Sequence, residues 1–295
     1  MKKKVIFRGC ATALITPFKN GKIDYVALER IIEYQIKGGV GALVVGGTTG
    51  EAATLTDIER YNLFEFAKER TGGRVPLIFG TGTNSTAVAR AHTRAAERIG
   101  CDGVLVVTPY YNKGTEDGLV SHYMTIADST ELPVLLYNVP SRTGVNLSYG
   151  VLGRLCEHPN IVGIKEASDS ADRLVALREY GDSLSLYAGN DSQIYTTLAL
   201  GGEGVISVLS NAYPEYVSKI CSLFDEGKQK ESLQMQTDAL PLIRALFTET
   251  NPAPIKYLMS HLGYCKNELR LPLSPASAAT RTAVEKWKVK VNSEE

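Results

Sequence analysis

Short apolar runs rich in β-branched residues alternate along the chain with longer segments whose apolar positions recur every three or four residues. Eight runs read as strands: Ala11–Thr16, Ala42–Val45, Val75–Phe79, Gly103–Val107, Val134–Tyr137, Ile161–Lys165, Leu184–Ala188 and Val205–Ser207. Each is bounded by Gly, Pro, Asn or Ser. The helical patterns between them are Tyr25–Lys37, Asp57–Arg70, Thr86–Ile99, Glu116–Ser129, Tyr149–Glu157, Ala171–Tyr180, Ile194–Leu200 and Glu215–Glu226. Capping residues mark several ends: Thr56 before Asp57 and Glu59, Asn84 and Ser85 before the third helix, and Gly100 after it.

Eightfold strand–helix alternation requires parallel pairing, and in about 250 residues it closes most economically into a (β/α)8 TIM barrel. An open doubly wound sheet is the alternative. Against it, no Gly-x-Gly-x-x-Gly opens the first helix, and Gly80-Thr-Gly82-Thr-Asn-Ser85 lacks the third glycine. Strand signals stop near Gln229. Helical patterns at Glu231–Glu249, Pro254–Leu262 and Ser277–Lys290 follow, joined by Pro-rich turns, so the expected division is a barrel over 1–228 and a small C-terminal helical domain over 229–295.

Composition narrows the function classes. The 295 residues are 44% hydrophobic and 22% charged with zero formal net charge, which gives no reason to expect a nucleic-acid or anionic-membrane partner. Lys2-Lys3-Lys4 is too short for a basic arm and is expected to fray. No run is long enough to span a bilayer and no signal peptide is evident, so a cytoplasmic location is expected. Five scattered cysteines suggest reduced buried thiols, and four scattered histidines suggest surface or capping roles; no metal or organic cofactor is expected.

Lys165 ends the apolar run Ile161-Val-Gly-Ile-Lys165. Desolvating an ammonium is costly, so a lysine on a core strand tends to lose its proton and become a nucleophile; the other reading is an edge lysine whose head reaches water. Strand alternation puts Gly163 on the face of Lys165, leaving space beneath it, and sends Ile164 and Glu166 the other way. In a barrel, chemistry gathers at the C-terminal strand ends. There the sequence places Gly46-Gly-Thr48-Thr49-Gly-Glu51, whose amides and hydroxyls suit a small anion such as a carboxylate, then Thr108-Pro-Tyr110-Tyr111-Asn112, and Tyr137-Asn-Val-Pro-Ser-Arg142-Thr-Gly144. A neutral lysine, a phenol able to pass protons and donors for carboxylates are what Schiff-base chemistry on an α-keto acid requires. The amine must fall from about 10.4 toward 7–8, at a cost of roughly 4 kcal/mol. No carboxylate is therefore expected on the same face near Lys165.

These motifs, with Gly163-Ile-Lys-Glu166, Gly204-Val-Ile-Ser207 and Asn251-Pro-Ala-Pro-Ile-Lys256, closely resemble the dihydrodipicolinate synthase family within the N-acetylneuraminate lyase superfamily of pyruvate-dependent class I aldolases. The resemblance spans nearly the whole chain. It implies a lyase that condenses pyruvate, bound as a Schiff base on Lys165, with L-aspartate 4-semialdehyde to give 4-hydroxy-tetrahydrodipicolinate on the diaminopimelate route to lysine. It further implies that the pyruvate carboxylate sits on the Thr48 and Thr49 amides and that Tyr137, Thr49 and Tyr111 relay protons. Arg142 would bind the semialdehyde carboxylate, and Gly189 and Ile206 would line the site through backbone groups. A homotetramer is implied, with Tyr111 crossing a subunit interface.

Two other readings follow from the same residues. A sibling pyruvate aldolase, such as N-acetylneuraminate lyase or a 2-keto-3-deoxy sugar acid aldolase, would keep the lysine and the tyrosine but change the acceptor pocket; a catalytically inactive barrel would only bind ligand. Lysine-inhibited members of the family carry a glutamate and a histidine where this chain has Val88 and Arg60, while Asn84 and Tyr110 are retained. The departure implies weak or absent inhibition by lysine.

Overall fold

The computed structural model describes residues 3–292, with the side chains of 288–292 left aside. Eight parallel strands close into a barrel: β1 (Gly9–Ala13), β2 (Ala42–Val45), β3 (Leu77–Gly80), β4 (Gly103–Val107), β5 (Val134–Asn138), β6 (Ile161–Glu166), β7 (Ser185–Ala188) and β8 (Gly204–Ser207). They neighbour one another in chain order, and β8 returns to β1 with Ala11 opposite Ile206. Helices surround the barrel, as the alternation predicts.

The strands read as unbroken apolar runs because both faces are buried. Ala11, Ala42, Val44, Ile78, Leu105, Leu135 and Tyr187 pack inside the barrel. Leu43, Val45, Leu136 and Ile164 belong to a second layer between strands and helices. Period-2 alternation therefore sorts each strand between two cores rather than between core and water.

Local chemistry explains most boundaries. Helix Asp57–Thr71 starts with a full capping box between Thr56 and Glu59 and stops at left-handed Gly72. The sixth pattern breaks early: helix Ala171–Ala176 gives way to a 3-10 stretch in which Gly181 is non-helical, so the run to Tyr180 is not one helix. Several elements lacked a sequence reading, two of which matter most here. One is a two-stranded hairpin, Phe18–Lys19 with Lys22–Ile23, turned by Asn20 and Gly21 at positive φ. The other is a single helical turn, Pro140–Thr143, which carries Arg142.

Lys3 does not fray. Its Nζ donates to the carbonyls of Cys156, His158 and Ile161, tying the amino-terminal segment across the barrel. Helices Gln229–Leu246, Ala253–His261 and Ala278–Asn292 form the C-terminal part, close to the expected bounds.

Candidate active site

Lys165 sits at the C-terminal end of β6 and is only 4% exposed. One extra residue on β6 sets its neighbour: Val134 pairs with Ile161, but Leu135 pairs with Gly163, so Val162 is passed over and Lys165 comes level with Tyr137. The Lys165 Nζ lies 4.4 Å from the centre of the Tyr137 ring. Gly163 does share the inner face, but the space there is not empty. A Cβ on it would meet Ser185 O at 2.7 Å and Leu135 Cδ2 at 2.9 Å, so glycine lets the adjacent strands approach and hold the lysine's base.

Burial pushes the Lys165 amine down to about 7; Asp191 raises it and Arg142 lowers it further. The presence of Asp191 corrects the expectation that no carboxylate faces the lysine. Asp191 is 1% exposed, and its Oδ2 accepts from the Val208 and Leu209 amides, which hold the carboxylate beside Lys165. Burial raises its own pKa, against those bonds and the Ser207 hydroxyl. Desolvation of the amine outweighs the attraction. Glu166 points away as the alternation requires, paired with Arg173 at 2.8 Å and bonded to Asn138.

A cavity of about 490 Å³ opens above Lys165 and is lined by Thr49, Tyr137, Arg142, Gly189 and Asp191. A second, of about 370 Å³, lies against it and is lined by Thr48, Arg60, Gly82, Tyr110 and Pro272. Tyr137, Val139, Arg142 and Asn251 belong to both walls. The Tyr137 hydroxyl is buried and its pKa raised, with Arg142 and the Thr48 hydroxyl acting against burial.

Five of the eight residues singled out from sequence thus line one cavity: Lys165, Tyr137, Thr49, Arg142 and Gly189. Thr48 faces the second cavity, and Ile206 is packed inside the barrel with Val208 forming the cavity wall nearby. Tyr111 stands apart: it is 91% exposed, at φ 72, on the loop after β4. Two residues carried no assigned role in the sequence reading. Asp191 offered no signal, whereas Asn251 lay in plain sight in Asn251-Pro-Ala-Pro254 and reaches the site only through the fold.

The remaining candidates fall outside the site. All five cysteines are free and buried. His92 and His122 are buried, contrary to the surface or capping reading, and bond Asp57 and Thr86. Among the described residues no cluster of three His, Cys, Asp or Glu is arranged to hold a metal ion.

A parallel barrel with a buried, deprotonation-prone lysine at a strand end, a phenol beside it and a guanidinium at the cavity wall defines an aldolase-type lyase that works through a lysine amine. The chain belongs to the dihydrodipicolinate synthetase family, whose model matches residues 6–290. A relative from Alkaliphilus oremlandii named 4-hydroxy-tetrahydrodipicolinate synthase is 46% identical over 277 residues, 94% of this chain and 96% of that one. The crystal structure of dihydrodipicolinate synthase from Thermotoga maritima superposes with a TM-score of 0.95 at 41% identity, covering 98% of this chain and 99% of that one. A structure described as the first monomeric dihydrodipicolinate synthase variant also reaches 0.95 at 41% identity, with 97% of each chain covered.

Proposed function

We propose that this protein is a 4-hydroxy-tetrahydrodipicolinate synthase that condenses pyruvate with L-aspartate 4-semialdehyde on Lys165. The observation that carries the reading is the buried Lys165 amine, lowered to about 7, in one cavity with Tyr137, Thr49 and Arg142. The neutral amine adds to the pyruvate carbonyl, and water leaves as the iminium forms. The methyl group then loses a proton to give the enamine, whose carbon bonds to the aldehyde. The acceptor's amine closes on the iminium carbon and expels Lys165. Tyr137 and Thr49 pass protons, with Tyr111 of a neighbouring subunit completing the relay. The Thr48 and Thr49 amides hold the pyruvate carboxylate, Arg142 holds that of the semialdehyde, and Gly189 and Ile206 shape the wall through their backbones.

No step calls on a metal or organic cofactor. The exposure of Tyr111 supports a subunit covering it, and the assembly proposed is a homotetramer. Among the described residues no helix is long and apolar enough to cross a membrane, which is consistent with a cytoplasmic site of action. The division at 228/229 is kept as one of labour, the barrel holding the reacting groups and the C-terminal helices bracing them.

Turnover of pyruvate with aspartate semialdehyde, set against pyruvate with N-acetylmannosamine, separates the synthase from a sibling aldolase. Borohydride trapping with pyruvate alone separates either enzyme from an inactive barrel. Product with the semialdehyde is expected; product only with the sugar would overturn the reading.

A further inference from the structure

Two acids line the cavity above Lys165, and of these Asp169 is exposed and Asp191 buried. Asp191 stands in the turn that follows β7, where its Oδ2 accepts from the Val208 amide at 3.1 Å and the Leu209 amide at 2.9 Å. Its Oδ1 is buried and, among the described residues, has no hydrogen-bond partner. A proton on Oδ2 would face two N–H donors, and one on Oδ1 would find no acceptor there, so these bonds suit the carboxylate. The other charged groups on this wall are cations: Arg142, from the turn after β5, and Arg244, from the helix Gln229–Leu246. Cys10, behind Asp191, stays neutral because burial above all pushes its thiol up to about 12. A buried carboxylate works against the neutral amine that attack requires, so its place beside Lys165 calls for a benefit at another step.

That step is the one after attack. The nitrogen lone pair forms the C–N bond, and the C–O bond then breaks toward oxygen. Oxygen leaves as water with one amine hydrogen and one proton from solution, while the other hydrogen stays on nitrogen. The buried site thereby gains one positive charge, which is costly unless an opposite charge faces it. We infer that Asp191 is the counter-charge for the iminium on Lys165, acting across the cavity wall and not as a proton carrier. The inference rests on the imine proposed for Lys165. Pyruvate brings its own carboxylate, but that charge is present before and after the iminium forms and, in the reading above, is held by the Thr48 and Thr49 amides.

The test uses the full-length protein and pyruvate alone, so it does not depend on the identity of the acceptor. Borohydride trapping at equilibrium, at a pH above the amine's pKa, gives the pyruvate concentration at which half the protein is imine. Trapping after short times across a pH series gives the midpoint for attack. Asp191→Asn keeps the side chain's shape and removes its charge. It should raise the half-saturating pyruvate concentration by roughly tenfold or more. The midpoint should move the other way in effect, falling below the wild-type value of about 7, because Asp191 raises the amine. A residue that only braced the turn would, when lost, let water reach Lys165 and send the midpoint up toward the ordinary lysine value. In Asp191→Ala, formate should restore the imine as its concentration rises, and formamide, similar in shape but uncharged, should not. An unchanged half-saturating concentration in Asp191→Asn, a midpoint that rises, or equal rescue by formamide would overturn the inference. Absence of any adduct in the wild type would remove the imine and the inference together.

Discussion

Lys256 donates to Glu51 where neither side chain reaches solvent, and this pair ties the helix Ala253–His261 to the loop that presents Thr48 and Thr49. The other Glu51 oxygen accepts from the Arg270 amide, and Lys256 also donates to the Glu268 carbonyl. Glu51 itself sits at φ 54, a conformation that non-glycine residues rarely adopt. The C-terminal part therefore grips the loop of Thr48 and Thr49 at its positive-φ residue. Lys256→Met should destabilise the protein by about 3–5 kcal/mol, since it strands a buried carboxylate, and should raise the KM for pyruvate. Lys256→Met with Glu51→Gln should recover most of that stability in urea titrations. No recovery would show that shape, not charge, dominates.

Burial dominates the Lys165 shift, so the amine loses its proton near pH 7. The ammonium cannot attack a carbonyl. The rate of imine formation with pyruvate should therefore climb as pH rises through about 7 and level off above it. Stopped-flow or rapid borohydride quenching at a series of pH values measures this. An adduct on any lysine other than Lys165, or a midpoint near the ordinary lysine value, would contradict the site.

The same shift has a cost in stability. Because the folded pKa is lower than the unfolded one, the unfolded chain binds the proton more tightly between pH 7 and about 10, and stability gains as pH rises across that window. Lys165→Met removes the burden, which is on the order of 4 kcal/mol at and below pH 7. The variant should be inactive yet unfold at a higher temperature than wild type. Its advantage should shrink as the pH is taken from 7 toward 10.

Arg142 lies one helical turn beyond β5, and its guanidinium is anchored by the Asn251 carbonyl at the wall both cavities share. That placement fits the acceptor rather than pyruvate. Arg142→Ala should raise the semialdehyde KM and lower kcat, a loss of roughly 1.5–3 kcal/mol of transition-state binding, while imine formation persists. Loss of the imine itself would reassign the arginine to the first substrate.

Arg60 is buried and donates to the carbonyls of Gly80 and Ala52, and among the described residues no carboxylate bonds it, while Val88 is exposed. A ligand ammonium entering the second cavity would meet this cation. Lysine should therefore leave activity unchanged up to the millimolar range. Inhibition below about 1 mM, where binding exceeds about 4 kcal/mol, would refute the expectation.

The sequence made legible what depends on near neighbours. Thr56 and Glu59 announce a helix start because a capping box is local, and the apolar runs announce strands because a barrel buries both faces. Asn20-Gly21 was an equally local hairpin signal, although its strands span two residues each. Helix Ala171–Ala176 was overextended because the change to a 3-10 stretch at Leu177 leaves no mark in the residues. What stayed hidden is long-range. The irregularity at Val162 that levels Lys165 with Tyr137 leaves no mark in the residues, and Asn251 meets Thr49 only after 202 positions of intervening chain. Asp191 is likewise brought to Lys165 by the pairing of β6 with β7, which it follows, and not by any motif.

The order of synthesis gives the Lys256–Glu51 and Asn251–Thr49 contacts a temporal meaning. A ribosome that has just released Ser207 has made every barrel strand, including Lys165 and Tyr137, but neither Asn251 nor Lys256. The barrel strands by themselves would hold Lys165 without the brace on the loop of Thr48 and Thr49, which the last helices supply.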